Sequence, residues 1–223
     1  LGFRQFSHHF TDIRRALEEG NEALAREKLA AWLRIDVGSL PRTELLRQII
    51  EHSVLAAHRH VFGVLIAFVV FWLLGLGPAG AVFYRLAEYL SRNWRARADG
   101  TPSEGLRNAA ARAWAWIDHV PARMTALCFA TVGNFEEAVS SWRSDAALYA
   151  PGSDGVVLAA TSGALNVRLR PRLENEVDDP ELGTGTRPEP TLAHLASVVG
   201  LVWRSVVLWM LLLALMSLAR LLG

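Results

Sequence analysis

The chain has 223 residues, 23 Lys and Arg against 22 Asp and Glu for a net charge of +1, 52% hydrophobic residues and eight Trp, a balance that excludes intrinsic disorder and a polycation that coats nucleic acid. A single cysteine, Cys128, excludes an internal disulfide framework and multi-cysteine zinc or iron–sulfur sites; within Leu-Cys-Phe-Ala it reads as a small buried hydrophobe. The apolar residues are gathered in a few long blocks rather than spread along the chain, and that unevenness is the first positive signal.

The amino-terminal third is polar and helical. Phe3 to Glu19 and Glu22 to Leu33 read as helices joined at Gly20-Asn21, because Gly suits a helix end and Asn an N-cap, with Leu24, Leu29, Trp32 and Leu33 at helical spacing. No Met precedes Leu1 and no charged segment leads into an apolar core and cleavage site, so the chain is expected to be the later part of a longer membrane protein. Asp36-Val-Gly-Ser marks a turn, and Pro41 fits the first turn of a helix running through Leu46, Ile50 and Leu55 into the apolar block beyond, carrying Glu51, His52, His58 and His60 to the membrane surface. His58 and His60 point about 200° apart on a helix, which excludes a local metal site. The adjacent His8-His9 pair fares no better. Interfacial polar roles are expected for these histidines, and no metal site.

From Val61 to Tyr84 there is no charge, and VFGVLIAFVVFWLLG is close to the length of about 20 apolar residues that a helix needs to cross hydrocarbon. Gly75, Gly77, Pro78 and Gly80 predict a break there, followed by a second short helix through Tyr84 and Leu90. GLGPAG lacks the Lys-Ser/Thr and the strand context of a phosphate-binding loop. Arg42, Arg47 and Arg59 lie before this crossing and Arg85, Arg92, Arg95 and Arg97 after it, so charge asymmetry assigns no orientation. Arg92, Arg95 and Arg97 suit anionic headgroups or a solvated loop.

Met124 to Phe135 and Gly155 to Val167 are uncharged but too short to span; the small residues of AATSGAL suggest close helix packing or a re-entrant element. Leu173 to Pro190, with Glu174, Glu176, Asp178, Asp179 and Glu181, reads as a flexible acidic loop without calcium-loop spacing. Leu195 to Ala219 holds only Arg204 as a charge and predicts a second crossing. A guanidinium at mid-helix costs about 2.5–3.5 kcal/mol on insertion scales, so Arg204 is expected to face the protein interior or a wet cavity, or to snorkel if the apolar window begins at Ser205.

The expected architecture is all-α: a polytopic integral membrane protein with an amphipathic helical amino-terminal region. Residues 1–55 lie outside the bilayer, 56–98 form a broken transmembrane helix with a basic flank, and 99–170 form amphipathic and short membrane-packed helices. An acidic loop at 171–190 leads to a carboxy-terminal transmembrane helix at 191–223. Glu51, Asp118, Arg123 and Arg204 stand out as ionisable groups in or beside apolar stretches, where charge is costly without a partner.

Several blocks in order resemble the CobD/CbiB family of integral membrane proteins of cobalamin biosynthesis and its relative AmpE. ALEEGNEALAREKLAAWLRIDVGSLPRTELLRQIIE is similar to the family's Gly-Asp turn, Ala-Arg helix, Gly-Arg-Asp turn and Arg-x-x-x-Glu helix, here Arg47 to Glu51. GLGPAGAVFYRL is similar to its Gly-Pro-x-Gly-Ala…Tyr-Arg block, WIDHVPARMTALCFATVG to the segment around Pro-Ala-Arg at Pro121 to Arg123, and SDGVVLAATSGALNVRL to the segment ending Ala-Gly-Ala-Leu-Gly-Val-Arg-Leu. ELGTGTRPEP and a last Trp-Leu-rich span come next, in the family's order.

The resemblance implies adenosylcobinamide-phosphate synthesis: an aminopropanol unit joined to a corrin carboxylate, with ATP and Mg, and Glu51, Asp118 and Arg123 as catalytic candidates. Leu55, Ala56, Arg59 and Val64 stand where the synthase pattern has Glu-Asn, an Asp and an Ala-Pro, and Glu88, Tyr89, Leu90 and Ser91 replace its Asn-Thr-Leu-Asp block. These losses put an AmpE-like signalling or assembly member first, without a cofactor; the synthase is the alternative. A transporter, from the broken GLGPAG helix and Arg204, is the third reading. The expected setting is the bacterial inner membrane, multi-pass, with the lipid bilayer as partner and a further membrane protein or a second copy of the chain beside it.

Overall fold

In a computed structural model the described residues are 2–33, 40–96, 104–170 and 187–222, and among them the secondary structure is helical, without strands. α1 (Gly2–Glu18) and α2 (Glu22–Leu33) meet at Gly20, whose φ of +75° a side chain would disfavour, and the Asn21 Oδ1 caps α2 by accepting from the Leu24 amide at 3.1 Å. Phe10, Ile13, Ala16 and Leu17 of α1 and Ala25 and Leu29 of α2 are buried, one stripe per helix. Trp32 meets the His52 ring edge-on at 4.5 Å and Arg26 donates to the Leu40 carbonyl at 2.7 Å, fixing this pair to the helix that begins at Arg42. The Asp36-Val-Gly-Ser turn lies outside the described residues.

Pro41 precedes α3 (Arg42–Ala57), which passes through a π turn (His58–Phe62) into α4 (Gly63–Leu73). The helix is continuous from Arg42 to Leu73, as the sequence predicts. The chain breaks at Gly75 and Gly77, both at positive φ, and returns as α5 (Ala79–Ala96) packed against α4. α6 (Glu104–Val132) is longer than its apolar core suggests and accommodates Pro121 internally.

α7 (Phe135–Tyr149) is capped by the Asn134 side chain and packs on α8 (Ser153–Leu165), where every residue from Gly155 to Ala164 is buried. The small residues of α8 therefore serve close packing: a Cβ at Gly163 would overlap the Glu137 backbone. Asn166 in the left-handed region closes the helix.

α9 (Leu192–Leu222) is the second bilayer-length helix. It buries one narrow face, with Leu195, Val198, Leu201, Ser205 and Trp209, against the other helices. Only 22% of its apolar window is buried, whereas the core helix of a soluble protein would be mostly covered. Leu211, Leu215 and Leu218 of α9 and Leu73, Val82 and Leu86 of the α4–α5 hairpin belong to a broad exposed apolar surface, more than a soluble monomer ordinarily presents. Trp72 carries the Arg220 guanidinium 4.3 Å over its ring, so the carboxy-terminal ends of α4 and α9 lie together.

Candidate functional site

The π turn fits an extra residue into the helix, and its five side chains fan out to different neighbours. His58, fully buried, reaches α6: its Nε2 lies 3.0 Å from Asp118 Oδ1 and its Nδ1 2.9 Å from Thr125 Oγ1. Tyr84 on α5 donates its hydroxyl to the same Asp118 Oδ1 at 2.6 Å, and Thr125 donates to the Pro121 carbonyl at 2.9 Å. His58, Tyr84, Asp118 and Thr125 are each 0% exposed. The pattern orients His58 Nε2–H toward Asp118; the Asp118 Oδ2 is buried without a partner.

Tyr84 is held from two sides. The Trp114 ring lies 5.1 Å away, and Gly63 approaches so closely that a Cβ there would overlap the hydroxyl. Phe62 turns back to α6 and meets Phe129 edge-to-face at 5.4 Å. One polar network and one aromatic contact thus lock the π turn to α5 and α6. Locking the turn also places the two residues after His58.

Arg59 pairs with Asp154 in the first turn of α8, and His60 Nδ1 accepts from Arg85 Nη1 at 2.8 Å. Arg85 also bonds Glu88 at 2.8 Å, and Arg92 pairs with the other Glu88 oxygen at 2.9 Å. Three guanidinium groups therefore share two carboxylates where the apolar helices meet the polar part of the fold, leaving a positive excess suited to an anionic group.

Of the candidates read from the sequence, the structure brings Asp118 alone into a buried network. Glu51 pairs with Arg47, which also holds Glu44 and donates to the Leu169 carbonyl at 3.3 Å. Arg123 turns back on its own helix to His119 Nδ1 at 2.9 Å. Arg204 is exposed and donates to the Gly200 carbonyl at 3.2 Å; the interior-facing reading gives way to snorkelling along the helix. His58 corrects the expectation of an interfacial histidine: it is fully buried, because α6 offers it a carboxylate and a hydroxyl. Sequence reasoning also misses Tyr84 and Thr125. The available signal is Asp118 itself, a carboxylate in an apolar stretch that requires buried donors.

A second correction concerns the acidic loop. Residues 171–186 lie outside the described residues, but Arg187, within the range read as a solvated loop, is 7% exposed. It donates to Glu137 at 2.8 Å and Ser141 at 3.0 Å, clamping the approach to α9 onto α7. Such clamps survive in a mostly polar segment because a buried guanidinium needs its carboxylate and hydroxyls together.

Fold and site define a protein that is helical throughout its described residues, with two helices among them long and apolar enough to cross a bilayer and a buried His–Asp–Tyr network that ties the π turn to α5 and α6. The profile of the CobD/Cbib protein family matches residues 1–202, and the chain belongs to that family. It is 34% identical over 212 residues to the "Cobalamin biosynthesis protein CobD" of Chromobacterium violaceum, covering 94% of this chain and 65% of that protein. The protein of the same name from Stutzerimonas stutzeri is 32% identical over 224 residues, covering 96% of this chain and 68% of the relative. A third, from Mycobacterium tuberculosis, is 38% identical over 114 residues, 48% of this chain and 32% of its own length. The chain thus spans about two thirds of the length of the first two relatives. No solved structure matches.

These relatives support the synthase alternative better than the AmpE-like signalling reading, which is set aside. Signalling rests on acidic positions lost along the sequence. The fold gathers Glu88 and Asp154 with three arginines beside the π turn, so charged groups are concentrated there.

Proposed function

We propose that the chain belongs to a polytopic inner-membrane protein of cobalamin biosynthesis that forms the amide bond of adenosylcobinamide phosphate, joining an aminopropanol unit to a corrin carboxylate. The observation that carries this reading is the similarity to two cobalamin biosynthesis proteins over 94% and 96% of the chain. The bilayer-length helices and their exposed apolar faces support the membrane setting.

Arg59, Arg85 and Arg92, with His60, suit the binding and orientation of a phosphate-bearing substrate at the water-facing end of α4 and α5. The His58–Asp118–Tyr84 network acts as positioning machinery, since it fixes the turn that carries Arg59 and His60. The residues present do not fit a carboxylate cage for magnesium: among the described residues no three His, Cys, Asp or Glu side chains converge, and Glu44, Glu51, Glu88 and Asp154 are each held by an arginine.

Complementation tests the reading. In a strain lacking this biosynthetic step the full protein should restore corrinoid production. Arg59→Ala should lower the rate of product formation in isolated membranes supplied with ATP, aminopropanol phosphate and the corrin acid by at least about tenfold, because an arginine–phosphate contact is made by a charged pair. Absence of any corrin amide with the unaltered protein would remove the proposal.

A further inference from the structure

A cavity of about 680 Å³ opens between α1, α3 and α9, away from the His58 network and the arginine cluster. Its walls are apolar, with Val61 of the π turn facing Val198, Val202 and Val206 of α9. On the α1 side the lining is charged, with Arg14, Arg15 and Glu18. Ser53 also lines it, 1% exposed, with a hydroxyl that has no hydrogen-bond partner.

The position relative to the bilayer comes from α9. Arg204 and Arg220 bracket residues 205–219, a stretch without charge. At 1.5 Å per residue this stretch is about 22 Å long, close to the hydrocarbon thickness once both arginines snorkel outward. Trp203, 65% exposed, sits beside Arg204 at the level where indole rings favour the headgroup boundary. The valine walls extend on either side of that level, so the cavity runs from headgroup depth into the acyl region.

Charge selects the occupant. Arg14 is paired with Glu18 at 2.7 Å, while Arg15 is exposed and has no ion pair among the described residues. We infer that this groove is a binding site for an anionic phospholipid of the surrounding bilayer, with one acyl chain between α1 and α9, the phosphate at Arg15, and an ester oxygen accepting from the Ser53 hydroxyl. A zwitterionic lipid would fill the same apolar space but bring its own cation to the arginine. The site is independent of the amide-forming reaction.

The test is native mass spectrometry of the full protein, delipidated in mild detergent and then offered phosphatidylglycerol or phosphatidylcholine. One phosphatidylglycerol should be retained per chain, with about fivefold preference over phosphatidylcholine, the scale of a single basic contact at a membrane surface. Arg15→Gln, at an exposed position, should bring that preference close to one. Val202→Trp should abolish retention of both lipids while helicity and elution volume stay unchanged; if that variant fails to fold, the Arg15→Gln comparison decides. Retention of neither lipid, equal retention of both, or a preference indifferent to Arg15→Gln would overturn the site. So would a dimer in detergent that Val202→Trp dissociates, which would give the groove to a second copy of the chain.

Discussion

Asp118→Ala should destabilise the protein by about 2–6 kcal/mol, since each of two buried donors left unsatisfied costs about 1–3 kcal/mol, and should lower its melting temperature in mild detergent more than any other single truncation in the network. His58 Nε2 and the Tyr84 hydroxyl both bond the same carboxylate oxygen, and neither group reaches solvent. Truncation leaves two buried donors unpaired at once. Asp118→Asn keeps one acceptor oxygen and should fall between the alanine variant and the parent. His58→Leu combined with Asp118→Ala should cost less than the sum of the two, because the double change also removes the orphaned imidazole. A melting temperature indifferent to Asp118→Ala would mean that the network is not formed.

The second large effect is expected at Gly163, where α8 crosses α7 through backbone rather than side-chain contact. An added Cβ would overlap the Glu137 carbonyl group and press on the Ala138 Cα, atoms with no rotamer to change. Gly163→Ala should therefore cost about 1–3 kcal/mol, and Gly163→Leu should prevent accumulation of folded protein. Gly200 provides the contrast within the same fold. Nothing lies within 4 Å of a Cβ built there, so Gly200→Ala gains the helix propensity that Gly lacks, up to about 1 kcal/mol, and should raise the melting temperature. Thermal melts of the two alanine variants in one detergent check both signs, and the yield of folded protein checks Gly163→Leu.

Much of the architecture is legible from local composition, since caps, breakers and apolar length act within a few residues. Gly20-Asn21 ends one helix and caps the next, Pro41 precedes a helix that runs on into the first apolar block, and Gly75 and Gly77 turn the chain back. The small residues after Gly155 announce a closely packed helix. A local reading cannot reach features that depend on helical phase or on distant partners. The π turn adds a residue to one turn and shifts the phase of the helix beyond it, so a wheel drawn at 100° per residue misplaces the faces after His58. Pro121 ordinarily argues for a helix end, yet α6 carries it inside. Arg187 sits in a sequence neighbourhood that reads as solvated loop, and its burial depends on Glu137 and Ser141, on a helix some fifty residues earlier. Asp118 is visible as a costly charge, but its partners lie on the π turn between α3 and α4 and on α5, and only tertiary packing identifies them.

The same distinction explains the functional reading. Position-by-position comparison registers the loss of an acidic pattern between Leu55 and Val64 and again at Glu88 to Ser91. Spatial grouping shows Arg59 with Asp154 and Glu88 with Arg85 and Arg92 around one turn.

The central physical claim is that the exposed apolar surface of α9 and of the α4–α5 hairpin is covered by acyl chains. Maleimide labelling of single cysteines in intact membrane vesicles, in a Cys128→Ser background, measures this directly. Cysteines at Leu211, Leu215 and Val82 should stay unlabelled until detergent is added, whereas one at Glu18 should react from the side its helix faces. Rapid labelling at Leu211 and Leu215 in sealed vesicles would place α9 in water and contradict the account.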